Sequence, residues 1–413
     1  MSTIAIPVRS DPELSLVHLF EQEVLADPYP LYHRLQVEAP IYWDPFLHAW
    51  VVTRYSDVSR VLHEFSAQCA PAPEMMGKMG VSELTPIAEA MMRMLLFMDA
   101  PLHTRLRAVA SQVFAPRNVE SLAAHIREVV NRLLDEVKPN GRMDVLADLG
   151  DRLPAIITAE MLGVPPSDHQ QLKNWSADFA EVLGNWQHNP DRVAKMVQTL
   201  NEMTDYFRSA LSIHRRRPST TVISALLGCE VDGQRLSEES IIANCVLVMV
   251  GGQETTPNLI GNGTLSLLRN PGEWWKLRRD QALIPSAVEE LLRFESPSQH
   301  TTRLAPSDTE IQGVPVRKGQ ALIAVMGAAN RDPERFPQPD RLDVQRRDNR
   351  HLAFGAGPHF CFGAALARIE GQVVFDALVK TFSEIELEPD PLTWRDNVGL
   401  RGLTALPVRF TLN

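Results

Sequence analysis

The chain has 413 residues, with 41 lysines and arginines against 51 aspartates and glutamates, which gives a net charge of −10. Its hydrophobic fraction of 44% and charged fraction of 22% are typical of globular proteins and exclude a mainly disordered chain. The acidic balance, without basic blocks, argues against a protein that binds nucleic-acid phosphates. The sequence contains four cysteines, too few to form a disulfide scaffold in a chain of this length.

The apolar segments of the sequence favour a protein that is neither exported nor membrane-bound. The first residues lack the basic and apolar regions of a secretion signal. The most apolar segment, residues 241–252, contains Asn244 and is shorter than the roughly 20 apolar residues that a membrane span needs. We therefore expect a cytoplasmic protein with a buried helix at this position.

Helical periodicity dominates the chain. The pattern predicts a strand at residues 50–53 and a helix over residues 119–137, with Asn118 as its N-cap. Further helices are predicted over residues 156–162, 193–213, 238–268, 286–294 and 364–382, and strands within residues 314–325 around a turn. We find no internal repeat, low-complexity linker or domain boundary. The sequence thus predicts one mainly helical domain with small β-sheets that spans residues 1–413.

The most informative segment, residues 354–363, reads Phe-Gly-Ala-Gly-Pro-His-Phe-Cys-Phe-Gly and precedes a predicted helix. Cys361 therefore lies where a tight loop meets a helix N-terminus, whose free N–H groups and positive dipole end favour a thiolate. Gly355, Gly357 and Gly363 permit backbone conformations that other residues resist. A lone cysteine is most often a buried structural residue. The glycines favour a metal ligand instead, and haem iron suits a single thiolate better than a structural zinc site does.

These residues resemble the haem-binding loop of the cytochrome P450 superfamily, Phe-Gly-x-Gly-x-His-x-Cys-x-Gly, at every specified position. Other motifs of the family follow in order along nearly the whole chain. The resemblance implies a soluble, bacterial-type member with a single-domain, triangular-prism fold. It also implies haem b between an oxygen-activation helix and the cysteine-loop helix, with Cys361 as the iron ligand. The loop residues that it places against the haem are Phe354, Gly355, His359 and Gly363.

The longest predicted helix contains an unusual polar run, in which residues 251–255 read Gly-Gly-Gln-Glu-Thr. Each glycine costs roughly 1 kcal/mol relative to alanine in a helix interior, and a buried glutamate is costly without partners. The Thr255 hydroxyl can turn back to the carbonyl of Gly251. Pro257 lacks the N–H that would bond Gln253, so we expect a kink in the helix. An ordinary packing kink would explain the glycines but not the acid and the alcohols.

The same run resembles the family's oxygen-activation motif, Ala/Gly-Gly-x-Asp/Glu-Thr. The resemblance implies that Gly251 and Gly252 open a groove for dioxygen. It implies further that Thr255 holds the dioxygen and delivers protons, and that Glu254 relays these protons from solvent.

A charged pair lies upstream of the cysteine loop, where Glu290 and Arg293 share one face of a predicted helix. Such pairs are usually solvated surface contacts worth about 0–1 kcal/mol. In the family the corresponding Glu-x-x-Arg pair is buried and joined by a later arginine. The resemblance implies that Arg341 is this third member and that the triad stabilises the cysteine loop.

Four further side chains match family positions that bind the haem propionates. Residues 99–107 read Asp-Ala-Pro-Leu-His-Thr-Arg-Leu-Arg and place His103 and Arg107 one helical turn apart. Arg303 and His359 match two more positions. Arginine suits carboxylates through bidentate, charge-assisted bonds.

The resemblance also indicates where a substrate would bind. Seven of the 14 methionines lie within residues 71–98, ahead of the His103 helix, where the family has a variable loop over the haem. Methionine is usually core filler, but a flexible lining would suit a bulky apolar substrate. A lid is expected near residues 183–190. The residues expected to line the pocket are Met91, Met92, Met94, Leu183, Trp186, Val250, Ser298 and Leu403.

The implied activity is that of a monooxygenase that uses dioxygen and two electrons to hydroxylate or epoxidise a medium-to-large apolar molecule, as in polyketide or macrolide biosynthesis. The sequence contains neither a dinucleotide-binding Gly-rich turn nor a ferredoxin cysteine set. Electrons are therefore expected from NAD(P)H through a separate ferredoxin and ferredoxin reductase. The expected docking face contains Arg105, Arg350 and Arg368.

Three alternatives stay open at the level of the sequence. A haem-thiolate sensor or carrier would bind a ligand without turnover, and the pair of Glu254 and Thr255 argues against it. The second alternative is a member of the family that uses peroxide or catalyses oxidative coupling, and peroxide users often lack that pair. A substrate tethered to a carrier protein would make the lid a protein-binding surface.

Overall fold

A computed structural model of the chain describes residues 11–78, 81–185, 192–231 and 233–413. Helices form most of it. The α-helices of the described residues are α1 (Gln22–Ala26), α2 (Tyr29–Glu38), α3 (Tyr55–Glu64), α4 (Pro73–Lys78), α5 (Thr85–Met92), α6 (Leu102–Val113), α7 (Pro116–Ser121), α8 (Ala123–Val137), α9 (Arg152–Leu162), α10 (His169–Gly184), α11 (Val193–Arg216), α12 (Val222–Leu227), α13 (Glu238–Arg269), α14 (Pro271–Arg279), α15 (Ile284–Phe294), α16 (Met326–Ala329) and α17 (Ala364–Thr381).

The strands are short and form small sheets. They are β1 (Ile41–Asp44), β2 (Ala49–Val52), β3 (Arg142–Asp144), β4 (Glu230–Val231), β5 (Gln234–Arg235), β6 (Thr301–Leu304), β7 (Thr309–Ile311), β8 (Val314–Val316), β9 (Ala321–Ala324), β10 (Phe382–Leu387) and β11 (Pro407–Leu412). A four-stranded sheet has the order β1-β2-β9-β6, with β2 and β9 parallel. A three-stranded antiparallel sheet has the order β10-β11-β3, and β4-β5 and β7-β8 are hairpins.

Helix α13 is the central element of the fold. It is 32 residues long, and Ser237 caps its N-terminus by accepting the N–H of Ser240 at 3.2 Å. Glu238 and Glu239 in its first turn complement the positive end of the helix dipole. Beyond this turn most of its side chains are buried, because α9, α10, α15 and α17 pack around it. Within the described part of the chain, no helix has both the length and the hydropathy that crossing a bilayer requires.

The structure confirms the predicted fold class and the main helices, and it corrects two local details. The helix expected to begin after Asn118 starts earlier, at Pro116, and is interrupted before α8 begins. Proline favours the first helical position because its φ is already helical, and the Asn118 side chain instead donates to the carbonyl of Gln112 at 2.8 Å. The strands within residues 314–325 belong to different sheets, since β8 pairs with β7 whereas β9 lies between β2 and β6.

Candidate functional site

A cavity of about 310 Å³ separates the middle of α13 from the cysteine loop and the start of α17. Its wall on the α13 side contains Val250, Gly251, Gly252, Thr255 and Thr256. The facing wall contains residues 353–355 and 359–363, with Cys361 among them. The fold therefore brings the two most distinctive sequence motifs to opposite sides of one space.

The cysteine loop depends on glycine at two positions. Gly355 and Gly357 have φ angles of 69° and 68°, in the left-handed region that glycine adopts without strain. A Cβ at Gly357 would also lie 2.9 Å from the carbonyl oxygen of Leu62. The tight loop allows the N–H of Cys361 to donate to the carbonyl of Phe354 at 2.9 Å, which fixes the cysteine at the cavity wall.

The surroundings of the Cys361 thiol act on its ionisation in opposite directions. Burial raises the pKa of the thiol, whereas the N–H groups of Gly363 and Ala364 and the charge of Arg107 lower it. These N–H groups belong to the start of α17, where the helix dipole also favours negative charge. The sulfur thus has stabilising partners for the thiolate form, which is the form that ligates a metal.

The expected propionate anchors converge at one end of the cavity. The rings of His103 and His359 are in contact, with centroids 4.0 Å apart and planes tilted by 36°, and Arg107 and Arg303 line the same space. Burial lowers the pKa of His359 to about 3, and neighbouring His103 and Arg303 act in the same direction. Among the described residues, His103 Nε2 and Arg303 Nε are buried without a hydrogen-bond partner. Unpaired buried donors of this kind fit a carboxylate-bearing group such as haem b.

On the other wall, α13 provides an open groove. A Cβ at Gly251 would meet no atom within 4 Å, whereas one at Gly252 would lie 2.4 Å from the hydroxyl of Thr158 on α9. The hydroxyl of Thr255 donates to the carbonyl of Gly251 at 2.9 Å, which confirms the hydrogen bond expected from the sequence. The groove therefore combines a bare backbone with an alcohol that faces the cavity.

Pro257 lies inside α13, and the helix is continuous across it. The carbonyl of Gln253, which loses its helical N–H partner to the proline, accepts from the ammonium group of Lys173 at 2.8 Å. Lys173 lies on α10, so a neighbouring helix supplies the missing donor. Sequence reasoning did not find this lysine because it is 80 residues away from its acceptor.

Glu254 points away from the cavity into a buried polar cluster. Its carboxylate accepts from Lys173 at 3.1 Å, from the Ser176 hydroxyl at 2.9 Å and from Arg395 at 3.3 Å. Lys173 and Arg395 both also reach Asp151, at 3.2 Å and 3.3 Å. Glu254 is buried, whereas the side chains of Arg395 and Asp151 are 22% and 27% exposed. The cluster therefore connects the residue next to Thr255 with the protein surface.

The carboxylate of Glu290 is completely buried and accepts several hydrogen bonds. The prediction that Arg341 is the third member of its triad was wrong. Arg293 bonds it through Nε and Nη2, both at 2.8 Å. The second guanidinium belongs to Arg346, whose Nε lies 3.2 Å and 3.1 Å from the two carboxylate oxygens. The side chain of Arg341 is exposed and bonds Gln338, and only its backbone carbonyl accepts from Arg293. The N–H of Arg346 donates to the carbonyl of Asp343 at 2.9 Å in a turn between the two arginines, and the Arg346 side chain points inward to Glu290.

The expected substrate pocket is right in part. Leu183, Val250 and Ser298 line the cavity. The other described candidates, Met91, Met92, Met94 and Leu403, do not line it, and Trp186 lies outside the described residues. Met91 and Met94 pack in the core and Met92 is 48% exposed, because α5 ends before the chain reaches the cavity. Leu95 and Leu96, which follow this segment in the chain, line the cavity in place of the methionines.

Comparison with known proteins identifies the relatives of this chain. A family model described as Cytochrome P450 matches residues 79–400. The chain is 38% identical to the biotin biosynthesis cytochrome P450 of Bacillus subtilis (strain 168) over 392 residues, which covers 94% of this chain and 97% of that protein. The chain belongs to the cytochrome P450 family. It is therefore a monooxygenase by family, and haem-thiolate chemistry is the chemistry of that family.

Further relatives agree with this P450 assignment. The polyketide biosynthesis cytochrome P450 PksS of Bacillus subtilis (strain 168) is 35% identical over 413 residues, covering 97% of this chain and 100% of that protein. Among solved structures, P450BioI in complex with hexadec-9Z-enoic acid ligated acyl carrier protein matches with a TM-score of 0.87 and 36% identity. That match covers 94% of this P450 and 100% of the other chain.

One buried acid of this P450 was not found from the sequence. Glu370 on α17 lines the cavity, and its Oε1 has no hydrogen-bond partner among the described residues. Burial raises the pKa of the Glu370 carboxyl to about 8, although a hydrogen bond from Thr256 acts in the opposite direction. Its signal in the sequence was an acid at a core-facing position of an apolar helix. At neutral pH Glu370 is therefore mostly protonated.

The raised pKa of Glu370 predicts a specific dependence of stability on pH. An unfolded glutamate titrates near pH 4.3, so between about pH 4.5 and 8 the folded P450 keeps a proton that the unfolded chain releases. The free energy of unfolding should therefore fall as pH rises through this window, by up to about 1.4 kcal/mol per pH unit. Glu370→Gln should remove this fall, and the exposed-site control Glu384→Gln should keep it. Denaturant unfolding at several pH values measures both, and parallel pH profiles for wild type and Glu370→Gln would contradict the assignment.

Proposed function

We propose that this P450 hydroxylates or epoxidises a medium-to-large, mainly apolar molecule in a bacterial secondary-metabolite pathway of the polyketide or macrolide kind. The observation that carries the proposal is a single cavity with Cys361 on one wall and the Gly251–Thr255 hydrogen bond on the other. When bound, haem b supplies the redox chemistry that activates dioxygen, and thiolate ligation favours cleavage of the O–O bond.

Three groups of residues are proposed to hold the haem. Cys361 is the proposed iron ligand. His103, Arg107, Arg303 and His359 are the proposed propionate partners, and the two unpaired donors among them support this role. Phe354, Gly355 and Gly363 shape the loop around the sulfur.

Two residues of α13 carry the proposed proton delivery. The Thr255 hydroxyl faces the cavity and is held by Gly251, so it is placed to bind dioxygen and pass on a proton. Glu254, one residue earlier, is held by Lys173 and Arg395 at the inner end of a cluster that reaches the surface. Rotation of its carboxyl from this cluster towards Thr255 would carry a proton from solvent to the cavity.

The character of the cavity supports an apolar substrate. Away from the cysteine loop, most of the cavity lining is hydrocarbon. It is contributed by Leu95, Leu96, Met161, Leu183, Leu247, Val248, Val250 and Leu400. His300 lies in the wall, where burial lowers its pKa to about 3, so the imidazole is neutral at pH 7. Ser298 and Thr301 offer hydrogen bonds without charge, and the neutral imidazole adds no charge to the wall, which suits a hydroxyl or carbonyl on the substrate.

A substrate bound to a carrier protein is a second candidate, supported by one specific observation. The matched P450BioI structure was solved with an acyl chain ligated to acyl carrier protein. An acyl chain attached as a thioester enters the cavity without a carboxylate, which agrees with a neutral apolar lining. The affinities for a free long-chain acid and for the same acid on an acyl carrier protein distinguish the two cases. Tighter binding of the free acid would reject the carrier-bound form.

Electrons are proposed to come from NAD(P)H through a ferredoxin and its reductase. The docking face proposed from the sequence needs one change, because the guanidinium of Arg368 is directed inward, over the ring of Phe354 at 4.7 Å from its centroid. Arg105 and Arg350 remain the proposed docking residues. Charge reversal at both should raise the KM for ferredoxin and flatten its dependence on salt, and unchanged kinetics would reject this face.

The proposed function is tested by a substrate screen followed by isotope labelling. Apolar polyketide, macrolide and acyl compounds are added to the ferric holoprotein, and those that displace iron-bound water shift the Soret band. Turnover of a positive compound under ¹⁸O₂ with a surrogate ferredoxin and reductase should place one labelled oxygen in the product. A Soret shift without oxygenated product would indicate a sensor or carrier instead. Equal turnover with peroxide alone would indicate the peroxide-using alternative.

A further inference from the structure

The residue before Glu290 forms a second charged cluster that the proposed mechanism does not use. Glu289 on α15 accepts from Nε and Nη2 of Arg368 at 2.7 Å and 2.9 Å, in a bidentate pair. Nε2 of His351 lies 3.1 Å from the same carboxylate. Burial opposes ionisation of Glu289, but the hydrogen bonds from His351 and Arg368 outweigh it and lower the pKa of this carboxyl to about 2. Glu289 is therefore ionised at neutral pH and forms an ion pair with Arg368.

The geometry of His351 shows that the cluster has a defined orientation. Its side chain is 2% exposed, and its Nδ1 accepts the N–H of Ala353 at 3.2 Å. Because Nδ1 accepts, the ring proton lies on Nε2, from which it is donated to Glu289. The backbone just before the cysteine loop is thus tied to α15 through this imidazole.

Arg368 connects the cluster to the cysteine itself. Its guanidinium lies over the ring of Phe354, 4.7 Å from the centroid, in a cation–π contact. The carbonyl of Phe354 accepts the N–H of Cys361 at 2.9 Å. The contacts therefore run without a gap from Glu289 through Arg368 and Phe354 to the backbone of Cys361. Arg368 also places a fixed positive charge on α17, two turns after the cysteine.

We propose that Arg368, oriented by Glu289, is a positioning residue for the iron ligand that holds Phe354 against the cysteine loop and raises the reduction potential of the iron. A nearby cation favours the ferrous state, because reduction adds negative charge at the iron and its thiolate. The proposal rests on Cys361 as the iron ligand and is independent of the substrate. It assigns to Arg368 an inward role in place of the docking role expected from the sequence.

Two variants and one control test the potential. Arg368→Gln removes the charge and should shift the ferric–ferrous equilibrium about tenfold towards ferric, which is ~59 mV for one electron. Arg368→Lys keeps the charge and should restore most of this potential. Arg347→Gln removes an exposed charge four residues before His351, and its potential should remain close to that of wild type. Spectroelectrochemical titration of the three variants and the wild type, as purified holoproteins, measures these shifts.

A second measurement follows the cysteine loop directly. In mild denaturant the ferrous carbon-monoxide complex should lose its thiolate-type Soret band several-fold faster in Arg368→Gln and in Glu289→Gln than in wild type. The double variant should be no faster than Arg368→Gln alone, because the two side chains act as one unit. If Arg368→Gln does not retain haem, Glu289→Gln and Arg368→Lys decide the outcome by the same rate.

The proposal is overturned if Arg368→Gln has the potential of Arg347→Gln, or if Glu289→Gln loses the Soret band at the wild-type rate. It is equally overturned if the only effect of Arg368→Gln is a weaker, less salt-dependent interaction with ferredoxin, which is the signature of a docking residue. Absence of a thiolate-type band in the wild-type protein would instead contradict the assignment of Cys361, so the two failures are distinguishable.

Discussion

Glu290→Gln is expected to lower the free energy of unfolding by about 3–5 kcal/mol, because it leaves buried guanidinium groups without their counter-charge. Arg293 and Glu290 are both fully buried, and Arg346 shares the same carboxylate. The carboxylate also accepts the N–H of Asp343 at 2.9 Å and the side-chain amide of Asn349 at 3.1 Å. A glutamine amide replaces one acceptor oxygen with a donor, so it cannot satisfy this set. Denaturant unfolding of the holoprotein measures the loss.

A matched pair of arginine variants shows whether the partners of Glu290 have been assigned correctly. Arg346→Gln should destabilise the protein by about 1–3 kcal/mol, since it removes charge-assisted bonds to a buried carboxylate. Arg341→Gln, the same change five positions earlier, should stay within about 0.5 kcal/mol of wild type because that side chain is exposed. Equal losses in the two variants, or a larger loss in Arg341→Gln, would contradict Arg346 as the partner of Glu290 and Arg293.

Glu254→Gln is expected to lower the rate of product formation by about 100-fold at saturating substrate, because a glutamine cannot relay protons. Substrate affinity should change little, since Glu254 points away from the cavity into the cluster with Lys173 and Arg395. Glu239→Gln is the matched control, an exposed acid on the same helix, and should keep the wild-type rate. A wild-type rate in Glu254→Gln would remove this acid from the proposed proton path.

Thr255→Val tests the other half of the same path without a change of side-chain shape. It should uncouple the reaction, so that NAD(P)H is still consumed but the product per NAD(P)H falls about tenfold or more. Thr264→Val is the matched control, because Thr264 is a buried threonine of the same helix away from the cavity. Product and NAD(P)H are measured together. Full coupling in Thr255→Val would show that its hydroxyl does not deliver protons.

The sequence predicted features that depend on neighbouring residues. The glycine-framed cysteine, the run at residues 251–255 and the hydrogen bond from Thr255 to Gly251 all follow from local backbone rules. Such rules involve only a few neighbouring residues, so the sequence shows them directly. The helix periods likewise predicted both ends of α13 and α17 to within one residue.

The sequence did not predict partners that are distant along the chain. Lys173 and Arg395 lie 81 and 141 residues from Glu254, and only the packing of the fold brings them together. Arg346, and not the predicted Arg341, bonds Glu290. The sequence could not show this, because an irregular loop has no periodic pattern that indicates which side chains point inward. The prediction that methionines of residues 71–98 line the cavity was wrong for the same reason, because composition does not indicate which side chains face the cavity.

The ferrous carbon-monoxide spectrum of the purified holoprotein reports whether the Cys361 thiolate ligates a haem in this cavity. The wild-type protein should show the red-shifted Soret band of thiolate ligation. Cys361→His should bind haem but lack this band, because a neutral imidazole replaces the thiolate. A wild-type spectrum without the red shift, or retention of the red-shifted band in Cys361→His, would show that the Cys361 thiolate is not the iron ligand.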